Sequence, residues 1–286
     1  MNKTTIAPPL TGFITSFMRK PKAAVAAATP VLRAAARVSH GPFQLQAKVS
    51  SGCAYEIQAS SDLRHWSSLV SADAFEDVID FADTDASKFS FRFYRARSGQ
   101  LVSTSILGYA SVLLPPGFSM IANPLNAPSN TVEDLFPNMA DGTTICKFDA
   151  NLFRLTNNVV KDGSWTRPNE ELLPGEGAIF FNPTIEFKTL NFVGEVTQGH
   201  LRNAIPAGLS IRSSLAPQAG RLGSDLGFPA MQGDVVHLFD RNQQKYVVYP
   251  FSQSEWDRNP PSVGVGESFW VSRTNPGNWE QDFPAS

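Results

Sequence analysis

The sequence predicts an all-β protein: a small β-sandwich followed by two tandem, duplicated β-sandwich or barrel-like domains, with a poorly ordered N-terminal arm. Three observations predict it. Only 17% of the 286 residues are charged, while Phe supplies 21 residues, Gly 20 and Pro 21. Many short strands joined by Gly and Pro turns produce that balance. Apolar residues also alternate with polar ones over short stretches, the period of a half-buried strand. Finally, from about residue 100 the chain repeats itself at a spacing of 91 residues with no gap between the aligned copies.

The arm comprises residues 1–41. It carries Lys3, Arg19, Lys20, Lys22, Arg33 and Arg37 and no acid, which leaves the other 18 basic and 26 acidic residues on the body, a net charge of −8. An acidic body argues against nucleic acid as a partner, because phosphate contacts need a clustered positive surface. The alanine-rich stretch at 23–28 follows Arg19-Lys20-Pro21-Lys22, the order of an export signal. That apolar core is short and Pro30 interrupts it, which equally fits a poorly ordered or partly helical tail. No run approaches the roughly 18 apolar residues of a membrane helix.

Residues 42–97 read as a small β unit of five or six strands. Phe43, Leu45, Ala47 and Val49 alternate with Gln44, Gln46 and Lys48, and Ser50-Ser51-Gly52 turns the chain. Tyr55, Ile57 and Ala59 alternate again, as do Phe89, Phe91 and Phe93. Repeat 1 is expected over 98–184 and repeat 2 over 185–286. Pro115-Pro116-Gly117-Phe118-Ser119 returns as Pro206-Ala207-Gly208-Leu209-Ser210, Gly175-Glu176 as Gly266-Glu267, and Trp165 as Trp256. In each copy Pro-Gly opens a turn before a strand at 118–122 or 209–213. Residues 131–136 suit a helical turn capped by Thr131 or Asn130. Strands at 144–148 and 235–239 each end on an aspartate, and Asp149-Ala150-Asn151 and Asp240-Arg241-Asn242 read as hairpin turns. About six strands per copy, in two sheets or a flattened barrel, are expected. Matching residues are mostly glycines, prolines, aromatics and turn aspartates, which fix backbone shape rather than chemistry.

Two resemblances accompany these patterns. Tyr55-Glu56-Ile57-Gln58-Ala59-Ser60-Ser61-Asp62-Leu63-Arg64-His65-Trp66, with Phe81-Ala82-Asp83 and Arg92-Phe93-Tyr94-Arg95-Ala96, resembles a module of secreted verrucomicrobial and planctomycete proteins. Such modules resemble fibronectin type III-like sandwiches and sit at the ends of large surface proteins. From Gly108-Tyr109 through Gly266-Glu267-Ser268-Phe269-Trp270 the chain is similar to a duplicated β-rich region in exported proteins of the same bacteria. Both resemblances imply location and architecture, and neither carries a catalytic assignment.

The repeated carboxylates Asp149/Asp240 and Glu176/Glu267 are the acid–base candidates. A glycosidase needs two carboxyls flanking one bond, about 5–10 Å apart, whereas the better reading ties these aspartates to turn amides and the glutamates to strand entry. The Asp149-x-Asn151 and Asp240-x-Asn242 pairs offer too few oxygens for a calcium loop. His40, His65, His200 and His237 lack ligand spacing. Cys53 and Cys146 are expected to be buried, unpaired thiols. No catalytic residue, metal or cofactor is expected. The candidate binding residues are Trp165 with Arg167 and Trp256 with Arg258, in matching polar loops, where an aromatic beside a charge could stack on a sugar ring or a protein surface. The competing reading makes each Trp a lid on its own sandwich.

These readings point to a non-catalytic extracellular or cell-surface structural module, making protein–protein contacts and self-assembling in a fibre, layer or envelope. A carbohydrate-binding module is the alternative, with a glycan as ligand. A glycoside hydrolase-like enzyme would require a cleft with two close carboxylates.

Overall fold

The computed structural model describes residues 27–34 and 41–283. The N-terminal module contains β1 (Val31–Ala34), β2 (Phe43–Lys48), β3 (Ala54–Ser60), β4 (Ser67–Asp73), β5 (Val78–Asp83), β6 (Phe91–Ser98) and β7 (Leu101–Val102). One antiparallel sheet runs β1-β2-β5, and β6, β3 and β4 belong to the other. On β2 the alternation holds: Phe43, Leu45 and Ala47 are buried and the residues between them are exposed. Phe43 stacks on Tyr94 at 4.8 Å across the sandwich. The polar turn after β3 is built on Asp62, whose Oδ1 accepts the amides of Arg64 and His65 at 2.9 and 2.7 Å.

Two expectations for this region need correction. Val31–Ala34, placed in the poorly ordered arm, pairs with β2 as a third strand and buries Leu32. Its apolar residue fills the sandwich, which the arm's basic composition concealed; residues 1–26 and 35–40 lie outside the described residues. The third alternating strand begins at Phe91, leaving Phe89 exposed, and buries Phe93 and Tyr94 on opposite faces. Tyr94 faces the sandwich core, whereas Phe93 joins Leu63, Ile106, Leu125 and Val196 in a cluster against which Phe283 also packs. That cluster draws residues from the module and both repeats.

Copy 1 holds β8 (Leu107–Leu114), β9 (Gly117–Ile121), α1 (Val132–Leu135), β10 (Thr144–Asp149), β11 (Arg154–Lys161), β12 (Ser164–Trp165), β13 (Ala178–Asn182) and β14 (Lys188–Glu195). Copy 2 holds β15 (Gly199–Ile205), β16 (Gly208–Arg212), β17 (Gly220–Arg221), β18 (Val235–Asp240), β19 (Lys245–Ser252), β20 (Glu255–Trp256), β21 (Ser262–Val263), β22 (Phe269–Arg273) and β23 (Gly277–Phe283). The two central sheets have one topology, β12-β11-β10-β13-β9 and β20-β19-β18-β22-β16. Each copy adds a two-stranded ribbon, β8–β14 or β15–β23. Because β14 pairs with β8, copy 1 runs to about residue 195 rather than ending at 184. Thr131 caps α1, its side chain accepting the Asp134 amide. The matching position to Val132 in copy 2 is Gly223, and that segment is a turn without a helix.

The ribbons differ in what covers them. In copy 1, β8 also pairs with β6, so one six-stranded sheet runs from the N-terminal module into the repeat. Gly108 permits this approach, since a Cβ there would lie 2.5 Å from the Phe93 ring. In copy 2 the same ribbon face carries the cross-strand pairs His200–Asp282 and Arg202–Glu280 in place of Tyr109, Asn191, Ser111 and Thr189. Charges at an uncovered ribbon oppose further strand pairing.

The cores exchange bulk. Copy 1 packs Phe136, Phe180 and Phe192 with Ala178, whereas copy 2 has Gly227 at the position of Phe136 and Phe269 at that of Ala178. The loss at Gly227 and the gain at Phe269 offset each other in bulk, the kind of exchange that cores tolerate best.

Candidate functional site

The two copies face each other about a local two-fold axis, and this seam holds the repeated Gly175-Glu176 and Gly266-Glu267 pairs. The Ala122 amide donates to Gly266 O at 2.9 Å, and the equivalent Ser213 amide donates to Gly175 O at 3.1 Å. Ile121 bridges to Glu267 and Arg212 bridges to Glu176, again equivalent pairs. Both glycines have positive φ, 89° and 77°. A Cβ on Gly175 would lie 2.7 Å from Leu215, and one on Gly266 would lie 2.6 Å from Val112. These repeated glycines therefore serve both turn conformation and contact with the other copy.

The carboxylates are held in matching ways. Glu176 Oε2 accepts the Leu173 amide at 3.1 Å, and Glu267 Oε2 accepts the Gly264 amide at 2.8 Å. Their counter-charges come from different places. Lys147 Nζ reaches Glu176 at 2.8 Å, while Arg241, in the β18–β19 turn, pairs with Glu267 and donates to Leu113 O of copy 1 at 3.0 Å. Asp149 Oδ1 accepts the amides of Asn151 and Leu152, and Asp240 Oδ1 those of Asn242 and Gln243, all within 3.0 Å. Each repeated carboxylate is thus engaged by its own turn.

Beside this symmetry the copies diverge at their hairpin tips. Gln244 clasps the edge of β9: its Oε1 accepts the Phe118 amide at 2.8 Å and its Nε2 donates to Phe118 O at 2.9 Å. The equivalent tip in copy 1 is Leu152-Phe153, 59% and 69% exposed, with Leu155 also exposed. Phe153 packs edge-on to Phe148, which packs in turn on Trp270 across the seam at 5.0 Å. Trp270 is half-buried and donates to the Tyr246 hydroxyl at 3.1 Å.

The tryptophan–arginine loops are not brought together as stacking platforms. Trp165 is 8% exposed and sits in the copy 1 core, its Nε1 donating to Phe136 O at 3.0 Å. Arg167 turns to Glu170, at 3.1 Å, instead of to the indole. Trp256 is half-buried against Phe251. Arg258 lies over the Tyr249 ring at 5.5 Å and beside Asp257 at 3.3 Å. The carbonyl used by Trp165 has its counterpart near Leu226, and there Trp279 supplies the indole donor, at 2.8 Å, which leaves Trp256 further out.

Cys53 and Cys146 are joined by no disulfide and are half-buried rather than buried; burial and the nearby Glu170 push the Cys146 thiol up. Burial lowers the pKa of His237, and the Asp282 carboxylate raises that of His200. Arg241 and Gln244, which reach across the seam, and Lys147, which holds Glu176 within copy 1, were not singled out by sequence. Their signal is contrast between the copies: Lys147 matches Leu238, Arg241 matches Ala150 and Gln244 matches Phe153.

No protein-family model matches the chain, and no characterised protein matches it in sequence. A solved structure described as a tetra-tandem repeat in the extending region of a large adhesion protein aligns over 92% of this chain and 72% of that one, at 9% identity and a TM-score of 0.25. The class defined here is an all-β, tandem-repeat protein. Among the described residues no helix is long and apolar enough to cross a membrane.

Proposed function

We propose that the chain is a non-catalytic structural module of an extracellular or cell-surface assembly, acting through protein–protein contacts. The observation that carries this reading is the broken symmetry at the hairpin tips. One tip, Gln243-Gln244, is polar and clasps the neighbouring copy; the other, Leu152-Phe153, presents apolar side chains to solvent. Exposed apolar groups that cluster at one spot mark contact surfaces. Two further features support it. The six-stranded sheet and the three-way apolar cluster join module and repeats, as a load-bearing or spacing element requires. The repeated carboxylates are committed to turn amides and to cationic partners on the same scaffold.

Size-exclusion light scattering with negative-stain imaging tests the proposal. Concentration-dependent assembly is expected for the chain, and its loss on replacing Leu152 and Phe153 by Gln, the residues copy 2 carries there. A wild-type chain that stays monomeric at high concentration would refute it.

A further inference from the structure

We propose a second kind of site: the mouth of the copy 2 core, where it meets copy 1, binds a neutral, hydroxyl-rich ring such as one pyranose unit. A cavity of about 230 Å³ lies there. Its polar lining comprises Asp240, Arg241, Tyr249, Ser262, Glu267 and Ser268. Leu238 and Val247 form its apolar wall, and Met120 from copy 1 contributes to it, so the site is complete only when the copies are packed.

Comparison of the copies isolates what opens this cavity. At the position of Leu238, copy 1 has Lys147, whose Nζ donates to Glu171 O at 2.7 Å and to Glu176 at 2.8 Å. One lysine therefore spans the equivalent mouth, from the β10 wall to the repeated glutamate. In copy 2 the glutamate is held instead by Arg241 from the hairpin turn, and leucine replaces the lysine. The counter-charge has moved from the wall to the hairpin.

The lining leaves one hydroxyl unengaged: that of Tyr249 makes no hydrogen bond to another described residue. Ser268 Oγ, by contrast, is enclosed at the seam beside Gly177 and does not face the cavity. The charge balance then narrows the ligand class. Arg241 and Glu267 neutralise each other, and Asp240 leaves the lining with one net negative charge, which disfavours anions. Carboxylate acceptors, a guanidinium donor and hydroxyls beside a leucine and valine wall suit a ring with hydroxyls at its rim and C–H groups on its face. The volume lies below the roughly 300–1,000 Å³ of pockets for drug-sized ligands, so one ring is the natural occupant.

The test is an amide-shift NMR titration of the full chain with glucose, galactose and N-acetylglucosamine, each to about 50 mM, a range that reaches weak millimolar sites. At least one sugar is expected to give saturable shifts at Asp240, Gly264 and Ser268. Leu238→Lys with Arg241→Ala installs the residues of copy 1 and should abolish those shifts in a variant that still melts cooperatively, at a lower temperature because the Arg241 bond to Leu113 O is lost. Should that pair misfold, Tyr249→Phe serves as the second variant, weakening binding about tenfold through one lost hydrogen bond. The proposal fails if no sugar shifts these amides, if shifts cluster elsewhere such as Trp256, or if binding survives the variants. The Leu152 and Phe153 replacements should leave sugar binding intact, which separates this site from the assembly surface.

Discussion

Gly177 and Ser268 are the same position in the two copies, and they meet at the local two-fold axis. A Cβ on Gly177 would lie 2.5 Å from Ser268 Cβ and 2.3 Å from Ile211 Cγ2. An isologous contact brings equivalent residues face to face at its axis. There is no room for two side chains, so one copy is glycine.

The first prediction follows from that crowding. Gly177→Ala should destabilise by about 1–3 kcal/mol, the usual range for overpacking. Adding Ser268→Gly should recover part of the loss by clearing one of the two clashes, with Ile211 keeping the remainder. Urea unfolding of the two variants measures both quantities. Equal stability of Gly177→Ala and wild type would mean that the seam is loose at its axis.

The second prediction concerns Arg273 and Asp234, an ion pair with both side chains 1% exposed and Nη2–Oδ2 at 2.6 Å. Copy 1 has Asn182 and Thr143 at these positions, also buried. Removing one partner strands the other's charge in the interior, which costs about 3–5 kcal/mol. Arg273→Asn alone should therefore be severe, whereas Arg273→Asn with Asp234→Thr should regain much of the stability. Denaturant midpoints for the two singles and the double complete the cycle. Additive losses would show the two side chains to be uncoupled.

These pairs also explain what the sequence could and could not tell. Period-2 runs such as Phe43 to Val49 and turn aspartates such as Asp149 and Asp240 are local signals, and they became strands and hairpins. A duplication supplies a period but no phase. The end of copy 1 depends on β14 returning to β8 about 80 residues later, a pairing no local pattern records. The seam is hidden for the same reason, because Ala122 meets Gly266 only after both copies have folded. Trp165 and Arg167 are near neighbours in sequence, yet the indole turned into the core and the guanidinium to Glu170. Adjacency along a chain does not make a site.

The third prediction is a divergence of two histidines with pH. His200, raised by its hydrogen bond to Asp282, should titrate above the ordinary value of 6.5, and His237, lowered by burial, should titrate below it. For His200 the stabilisation is fully present below about 6.5 and fades as pH rises through its folded value. For His237 the neutral ring is favoured, so stability is full above about 6.5 and falls as pH drops through its folded value. The His200 contribution is small because the pair is solvent-exposed, 61% and 83%. Ring-proton NMR titration reads both midpoints, and Asp282→Asn should return that of His200 towards 6.5 without moving that of His237. A common midpoint for the two rings would contradict the assigned environments.

The fourth prediction separates the two repeated tryptophans. Trp165 fills the copy 1 core and satisfies a carbonyl, so Trp165→Ala should cost about 3–5 kcal/mol, as large aromatic truncations do. Trp256 is half-buried and makes no side-chain hydrogen bond among the described residues, so Trp256→Ala should cost about half as much, in proportion to the apolar area it covers. Thermal melts of both variants, followed by intrinsic fluorescence, provide the comparison. Two equally mild effects would mean that Trp165 is not the interior anchor its position implies, and would return it to consideration as a surface contact. Two equally severe effects would instead place Trp256 in the copy 2 core, in competition with Trp279.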